Sequence, residues 1–228
     1  MNGFRAVVLD MDGLMLDTER IAVECWIESA RVSGWEISRE TCLAMVGLDH
    51  RASRQKLLDA GGRSFPLDEV SKRGRVRYLE RLRDEGVGLK PGIVELLDWL
   101  DARGVPKAVA TSTMCEMAME KLELAGLRGR FETIVCGDQV AKTKPAPDVY
   151  LAATGQLGID PRACIALEDS DVGLRAAHGA GLACIVVPDM MPPREEYAGL
   201  AHCVVGSLAE ARGVIEGLLR GQCSTTAK

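Results

Sequence analysis

Short apolar runs alternate with helical patterns along most of the chain. A brief run of consecutive apolar residues predicts a buried strand, and apolar residues that recur every three or four positions predict a helix. The predicted strands cover 7–9, 107–110, 133–136, 163–167, 183–187 and 203–205, and the predicted helices after residue 90 cover 93–100, 114–125, 146–157, 172–180 and 208–219. Continuously apolar strands that alternate with helices are typical of an α/β fold, a doubly wound parallel sheet with both faces covered.

A region without any convincing strand interrupts this alternation between residues 18 and 89. Its first helix has one apolar face, formed by Ile21, Ala22, Cys25, Trp26 and Ala30. Further helices fit 39–46, 52–60 and 67–84. Such an insert would lie over the carboxyl ends of the strands, where open α/β folds bind their ligands, and would serve as a lid. We therefore predict an α/β core at 1–17 and 90–220, an inserted helical cap at 18–89 and a flexible tail at 221–228.

Composition and charge exclude several classes of partner. The 228 residues are 47% hydrophobic and 27% charged, as in ordinary globular proteins. A net charge of −5 argues against a nucleic-acid partner, which usually requires a basic surface. No apolar run approaches the roughly 20 residues of a membrane span, and the N-terminus has no signal-peptide pattern. We expect neither nucleic acid nor a membrane as a partner.

The eight cysteines are scattered along the chain. None forms a C-x-x-C pair or a Cys/His cluster with the spacing of a zinc site. Several lie in apolar runs, where cysteine packs as a small hydrophobic residue. This usage predicts reduced thiols and a cytoplasmic protein.

Two aspartates follow the first apolar run directly. Asp10 and Asp12 are two positions apart, so their side chains start on the same side of the sheet end. Two carboxylates held that close repel each other unless a cation or a shared proton lies between them. A bare D-x-D pair is more often a polar turn after an edge strand than a reactive pair, so the interpretation depends on three further segments.

These three segments bring other polar groups to the same edge of the predicted sheet. The second strand ends in Thr-Ser-Thr at 111–113, a loop at 142–145 contains two lysines, and the fourth strand ends in Glu-Asp-Ser-Asp at 168–171. Since the carboxyl ends of parallel strands share one edge, these groups are expected to converge. Carboxylates, a hydroxyl, an ammonium and a cation together suit phosphoryl transfer, in which catalysis is mostly positioning and neutralisation of oxygen charge.

Four segments carry a resemblance to the haloacid dehalogenase superfamily: D-M-D-G-L-M-L-D-T at 10–18, A-T-S at 110–112, K-P-A-P-D at 144–148 and L-E-D-S at 167–170. Their order and contexts are similar to those of its phosphatases and β-phosphoglucomutases with a small helical cap, and the resemblance extends to about Leu219. A two-component receiver domain has similar acidic residues, but its acidic pair precedes the phosphorylated aspartate and it has no helical insert.

The resemblance implies a role for each matching residue. Asp10 is expected to take the phosphoryl group as an aspartyl phosphate, which divides the displacement into two steps. Asp12 is expected to act as the general acid and then the general base. Thr111 and the backbone N–H of Ser112 would hold phosphate oxygens, and Lys144 would neutralise charge shared with Asp10.

The same resemblance implies a Mg²⁺ cofactor. An oxygen of Asp10, the backbone carbonyl of Asp12 and Asp169 would bind the ion, with water and phosphate in the remaining positions, as Mg²⁺ prefers. Glu168 would orient a metal-bound water or bind the ion weakly. Gly13, directly after the acidic pair, would lie in the phosphate-binding site.

Several of these residues have a structural alternative. Thr111 could cap the following helix, and either Lys142 or Lys144 could be solvated surface, although the proline at 145 favours Lys144. Asp171 is best explained as a charge that interacts with a helix dipole, so it stays outside the catalytic set. Glu19 could do the same for the first cap helix, or it could face the active site.

The cap is expected to choose the substrate. The segment 46–51 resembles the loop through which such caps contact the leaving group, so Arg51 or His50 could bind a second anionic or hydroxylated part of the substrate. Lys72 and Arg73 on a later cap helix are further candidates. A charged, solvated helix face explains all four equally well.

Two departures from the β-phosphoglucomutase pattern favour hydrolysis over isomerisation. Ala22 stands where those mutases carry a histidine on the first cap helix, and Met114 stands where they carry a lysine. We therefore predict a monomeric, Mg²⁺-dependent phosphatase that acts on a small phosphorylated metabolite, such as a sugar phosphate. A phosphosugar mutase is the second hypothesis, and a catalytically silent binding protein is the third.

Overall fold

The computed structural model describes residues 3–45, 50–62 and 64–221, with the backbone alone for 50–52. Within these ranges the strands are β1 (Ala6–Leu9), β2 (Lys107–Ala110), β3 (Thr133–Val135), β4 (Cys164–Glu168), β5 (Ala183–Val186) and β6 (Cys203–Val204). The helices are α1 (Glu19–Val32), α2 (Arg39–Leu43), α3 (His50–Gly61), α4 (Leu67–Glu85), α5 (Ile93–Ala102), α6 (Cys115–Leu124), α7 (Asp148–Leu157), α8 (Asp171–Ala180), α9 (Glu195–Ala198) and α10 (Leu208–Leu219).

The six strands form one sheet in the order β3-β2-β1-β4-β5-β6, and all neighbouring pairs are parallel. Leu9, at the end of central β1, is in register with Val109 of β2 and with Leu167 of β4. The residues that follow these three strands therefore emerge at one level of the same sheet edge. The predicted doubly wound parallel sheet is confirmed.

Helices cover both faces of the sheet because each strand buries residues on both sides. Val7 and Leu9 of β1 pack into a cluster with α5, α6 and α10, whereas Ala6 and Val8 pack into a second cluster with α7 and α8. Burial of each such Val or Leu side chain contributes about 1.5–3 kcal/mol. The sheet edge is thus held by a core on either side of it.

Helices α1 to α4 form the insert between β1 and β2, and they have an apolar cluster of their own. Its buried members are Val23, Ala30, Ile37, Cys42, Leu57, Phe65, Leu67 and Val70. The chain segments that enter and leave the insert lie side by side: Leu16 pairs with Leu89 in an antiparallel bridge, and the Asp17 N–H donates to the Gly88 carbonyl at 2.9 Å. The domain limits at residues 18 and 89 stay a prediction.

Several predicted element ends were wrong by one to three residues. Helix α7 begins at Asp148 rather than 146, because the Ala146 N–H donates to the Thr143 carbonyl in a separate turn. Helix α6 begins after Met114, whose backbone is extended. Helix α2 ends at Leu43 and α3 begins at His50. The four-residue helix α9 was not predicted, since so short a segment shows no helical period.

Two further predictions concern membrane segments and thiols. Among the described residues, the helices include none with both the length and the apolar character required to cross a bilayer. Seven cysteines lie in the described ranges, and each is a free thiol. Cys223 and the remainder of the predicted tail after residue 221 lie outside the described residues.

Candidate active site

Asp10 and the loop that follows it are fixed by the sheet edge. The Asp10 N–H donates to the Leu167 carbonyl at 3.0 Å, which continues the β1–β4 ladder by one residue. Gly13 has a φ of +82°, and its N–H donates to the Leu16 carbonyl at 2.9 Å. A Cβ at Gly13 would lie 2.2 Å from an Asp169 carboxylate oxygen. Only glycine therefore allows this turn to lie against Asp169.

Lys144 reaches the same edge from the loop before α7. Its side chain is only 4% exposed, and its Nζ donates to Asp10 Oδ1 and, at 2.6 Å, to Glu168 Oε1. Lys142, in contrast, is exposed, and its backbone N–H donates to Asp148. Of the two lysines, Lys144 is therefore the one whose charge faces the acidic group.

Three carboxylates meet beside this ammonium. Oxygen atoms of Asp10, Glu168 and Asp169 lie within 4.8 Å of one another, and all three residues are buried. Burial raises the pKa of Asp10 to about 7 and that of Asp169 well above its ordinary value. Both shifts already include the neighbouring carboxylates, which also raise these pKa values, and Lys144, which lowers them. An all-oxygen donor set of this kind fits a hard divalent cation such as Mg²⁺.

The Glu168 carboxylate already accepts hydrogen bonds from neighbouring protein groups. Its side chain is 0% exposed and accepts hydrogen bonds from Lys144 Nζ, from the Tyr150 hydroxyl at 2.5 Å and from the Asp169 N–H at 3.2 Å. Its carboxylate lies against Gly173 in the first turn of α8, where a Cβ would come within 1.9 Å. The helix N-terminus favours a negative charge at that point.

Asp12 has a different environment from Asp10. Its carboxylate accepts hydrogen bonds from the Thr18 hydroxyl at 2.6 Å, the Thr113 hydroxyl at 2.7 Å and Lys121 Nζ at 2.8 Å. Burial alone would raise its pKa, but the Lys121 ammonium and the hydroxyl donors together hold the pKa of Asp12 below its ordinary value. Asp10 and Asp12, two residues apart, therefore have pKa values shifted in opposite directions.

Lys121 was missed by the sequence analysis. It lies on α6 and is buried together with Ala118 and Leu122. These positions are three and four residues apart, so they share one helix face. The signal was present in the sequence: a lysine on the apolar side of an amphipathic helix needs a buried partner.

Thr111 is buried at the end of β2, and it does not cap the following helix. Its N–H donates to the Val135 carbonyl at 3.0 Å, and its hydroxyl accepts from the Thr113 N–H at 3.1 Å. The N-cap position of α6 is occupied by Met114, which makes no side-chain cap bond. The structural alternative for Thr111 is therefore excluded for this helix.

A cavity of about 300 Å³ opens above these groups, between the sheet edge and the insert. Seven of the residues predicted for the site line it, namely Asp10, Asp12, Glu19, Thr111, Ser112, Lys144 and Asp169. The wall formed by the insert is mostly apolar and consists of Ala22, Val23, Trp26, Cys42 and Met45. Glu19 faces the cavity from the start of α1, and burial together with the charge of Asp12 raises the pKa of Glu19 to about 7.

The other candidates from the insert are not brought to this cavity. Residues 46–49 and the side chains of His50 and Arg51 lie outside the described residues. Lys72 is exposed, Arg73 pairs with Glu69 at 2.9 Å, and neither Lys72 nor Arg73 lines the cavity. The candidate site therefore takes its charged groups from the sheet edge and from Glu19.

Asp171 is not among the residues that line the cavity. It is the first residue of α8, and its carboxylate accepts hydrogen bonds from the Arg194 backbone N–H at 3.1 Å and from the Arg194 side chain at 2.5 Å. The neighbouring Ser170 caps the helix by accepting from the Gly173 N–H. This arrangement agrees with the placement of Asp171 outside the catalytic set.

A second group of side chains that could hold a metal ion lies outside the cavity. Cys115, Cys136 and Asp138 have ligand atoms within 4.8 Å of one another. Burial and the neighbouring Cys115 thiol raise the pKa of Cys136 to about 12, so its thiol stays protonated. The spacing of the cysteines in the sequence gave no indication of this contact.

Comparisons with known proteins identify a family and match the fold. The family model described as haloacid dehalogenase-like hydrolase matches residues 7–187. The chain is 35% identical over 205 residues to Protein CbbY of Rhodobacter capsulatus, across 85% of this chain and 89% of that protein. It is 31% identical over 177 residues to Phosphorylated carbohydrates phosphatase of Thermotoga maritima, across 78% and 82%. The crystal structure of a mutant CbbY from Rhodobacter sphaeroides in complex with xylulose-(1,5)bisphosphate is similar with a TM-score of 0.75, at 31% identity and with 91% and 96% of the two chains covered.

Proposed function

The chain belongs to the haloacid dehalogenase-like hydrolase family, and from this premise we propose that it is a Mg²⁺-dependent phosphatase. It hydrolyses a small phosphomonoester, such as a sugar phosphate, through an aspartyl-phosphate intermediate. The observation that carries the proposal is that Asp10, Asp12 and Thr111 line one cavity beside the buried Lys144, whose ammonium donates to Asp10. The relative named as a phosphatase of phosphorylated carbohydrates supports the substrate class.

In the first step the Asp10 carboxylate attacks phosphorus, and the bond from phosphorus to the substrate oxygen breaks. Asp12 donates a proton to the leaving oxygen, so the product leaves as a neutral alcohol. The Thr111 hydroxyl and the Ser112 backbone N–H hold the phosphoryl oxygens. Lys144 is already paired with Asp10, and its ammonium neutralises negative charge on Asp10 and on the phosphoryl oxygens.

In the second step water attacks phosphorus and the bond from Asp10 to phosphorus breaks. Asp12 now accepts a proton from the attacking water, and inorganic phosphate leaves with Asp10 restored as a carboxylate. A residue that is an acid in one step and a base in the next must be held in one place through both. The three hydrogen bonds to Asp12 support this role.

Asp10, Asp169 and the backbone carbonyl of Asp12 would hold the Mg²⁺ ion. Glu168 supports them indirectly, because it fixes Lys144 and the Asp169 backbone. When bound, the ion supplies positive charge against the carboxylates and the phosphoryl oxygens.

The same proposal extends to the compartment and the assembly. Free thiols at all seven described cysteines suit the reducing cytoplasm. We expect the enzyme to act there as a monomer.

A panel of phosphomonoesters, assayed for released phosphate with Mg²⁺ present, tests the proposal. We expect turnover of one or more sugar phosphates, and Asp10→Asn should abolish it, because an amide of the same volume does not attack phosphorus. Retention by Asp10→Asn of more than about a thousandth of the wild-type rate would assign the nucleophile to another group. Undiminished activity after exhaustive EDTA treatment would refute the metal.

A further inference from the structure

Lys121 is a buried ammonium outside the phosphate-binding cavity. Its side chain is 5% exposed, it lies on α6, and its Nζ is 2.8 Å from Asp12 Oδ1. An ammonium removed from water at this depth is strongly destabilising unless a carboxylate pairs with it. Asp12 is the described carboxylate that pairs with Lys121. The position of this charge is therefore tied to the position of Asp12.

The same ammonium contacts the insert. Lys121 Nζ lies 5.0 Å from the centre of the Tyr78 ring on α4, within the range of a cation–π interaction. Helices α4 and α6 are also joined at their surface by the pair between Arg83 and Glu120. Lys121 thus stands between a carboxylate of the sheet edge and an aromatic ring of the helical insert.

The donors around Asp12 are not equivalent. Thr18 precedes α1 and Thr113 follows β2, and their hydroxyls can rotate to other partners. Lys121 alone among the three donors carries a charge. Asp10 and Glu19, both carboxylates, lie close enough to Asp12 for their charges to repel. Without the ammonium, the Asp12 carboxylate would keep only the two neutral hydroxyl donors.

We propose that Lys121 is a positioning residue that holds the Asp12 carboxylate in place for proton transfer and, through the Tyr78 ring, links that carboxylate to the insert. The inference rests on the proposed function, because it affects turnover only if Asp12 moves protons. Lys121 does not line the cavity, so it acts on the reaction through Asp12.

The first test replaces Lys121 by methionine, which keeps most of the length of the side chain but removes the charge. We expect kcat for hydrolysis to fall by about 10- to 100-fold, while KM changes by less than about twofold because Lys144 and Thr111 still bind phosphate. Lys107→Met is the matched control: Lys107 also pairs with an aspartate, Asp101, and also faces an aromatic ring, that of Phe131 at 5.9 Å. Equal kcat values for the two variants would overturn the proposal.

A second test separates charge from packing. In Lys121→Ala, added propylamine should restore kcat in a saturable way, whereas 1-propanol of similar size should not. Equal effects of the two additives, or no effect of either, would mean that Lys121 only fills space. Tyr78→Leu should lower kcat less than Lys121→Met does. A wild-type kcat in Tyr78→Leu would overturn the link to the insert.

Asp12→Asn, measured beside these variants, distinguishes failure of the inference from failure of the proposed function. If Asp12→Asn hydrolyses the substrate as fast as the wild type, the assigned role of Asp12 is wrong, and the role of Lys121 is wrong with it. If Asp12→Asn is inactive and Lys121→Met is fully active, only the inference about Lys121 is wrong.

Discussion

Asp10 and Asp12 show how far the surroundings of a residue decide its chemistry. Both are aspartates of one loop, yet Asp10 lies among carboxylates and Asp12 lies among donors. The sequence indicated the pair and its partners Thr111, Lys144 and Asp169. It did not indicate Lys121, because a lysine within a helix is usually solvated and only the packing of α6 shows that this one is not.

Asp169→Ala tests the metal site at the residue scale. We expect the Mg²⁺ concentration for half-maximal rate to rise at least about tenfold, because the ion loses one of its few protein ligands. Activity titrated with Mg²⁺ at saturating substrate measures the effect. Asp171→Ala is the control, since that carboxylate pairs with Arg194. A wild-type Mg²⁺ dependence in Asp169→Ala would remove Asp169 from the ligand set.

At the scale of elements, the start of α8 determines where the buried Glu168 carboxylate can lie. The first turn of this helix lies against Glu168, and Gly173 leaves the space that the carboxylate occupies. Hydrophobic periodicity predicted the helix well but gave no reason for a glycine in its first turn. That reason depends on a contact between a strand end and a helix, which local sequence patterns do not contain.

Gly173→Ala should destabilise the protein, although alanine is normally the better helix former. The new Cβ would lie 1.9 Å from the Glu168 carboxylate, so the bonds of Glu168 to Lys144 and Tyr150 must shift. We expect the free energy of unfolding to fall by about 1–3 kcal/mol, measured by urea denaturation. Gly213→Ala in α10, where a Cβ meets open space, should instead raise it by about 0.5–1 kcal/mol. Equal effects of the two changes would contradict this account.

For the whole molecule, the alternation of apolar runs and helical patterns was sufficient to predict the parallel sheet and its two covered faces. The convergence of the strand ends follows from parallel topology, so the meeting of polar groups at the sheet edge was predictable too, whereas the strand order was not predicted. The apolar wall of the cavity was not predictable from the sequence. Ala22 and Trp26 were assigned to an apolar helix face, and only the packing of the insert over the sheet turns them towards the cavity.

Hydrolysis and isomerisation make different demands on the whole molecule. A mutase must keep water from its aspartyl phosphate, and here Ala22 stands where the mutases carry a histidine. With β-glucose 1-phosphate and a trace of the bisphosphate, we expect little glucose 6-phosphate. With the preferred substrate, phosphate and free alcohol should appear together. Efficient formation of glucose 6-phosphate with much slower phosphate release would establish the mutase instead.

The bridge between Leu16 and Leu89 has a consequence for how such an enzyme changes over evolutionary time. Because the two ends of the insert are adjacent, the insert is a loop that leaves the sheet and returns to it at one place. The entropy of closing a loop grows only with the logarithm of its length, about 0.6 kcal/mol for each doubling. Residues can therefore be gained, lost or exchanged above the bridge at little thermodynamic cost to the strands below it. Substrate preference and reaction chemistry are thus free to diverge at different rates within one chain.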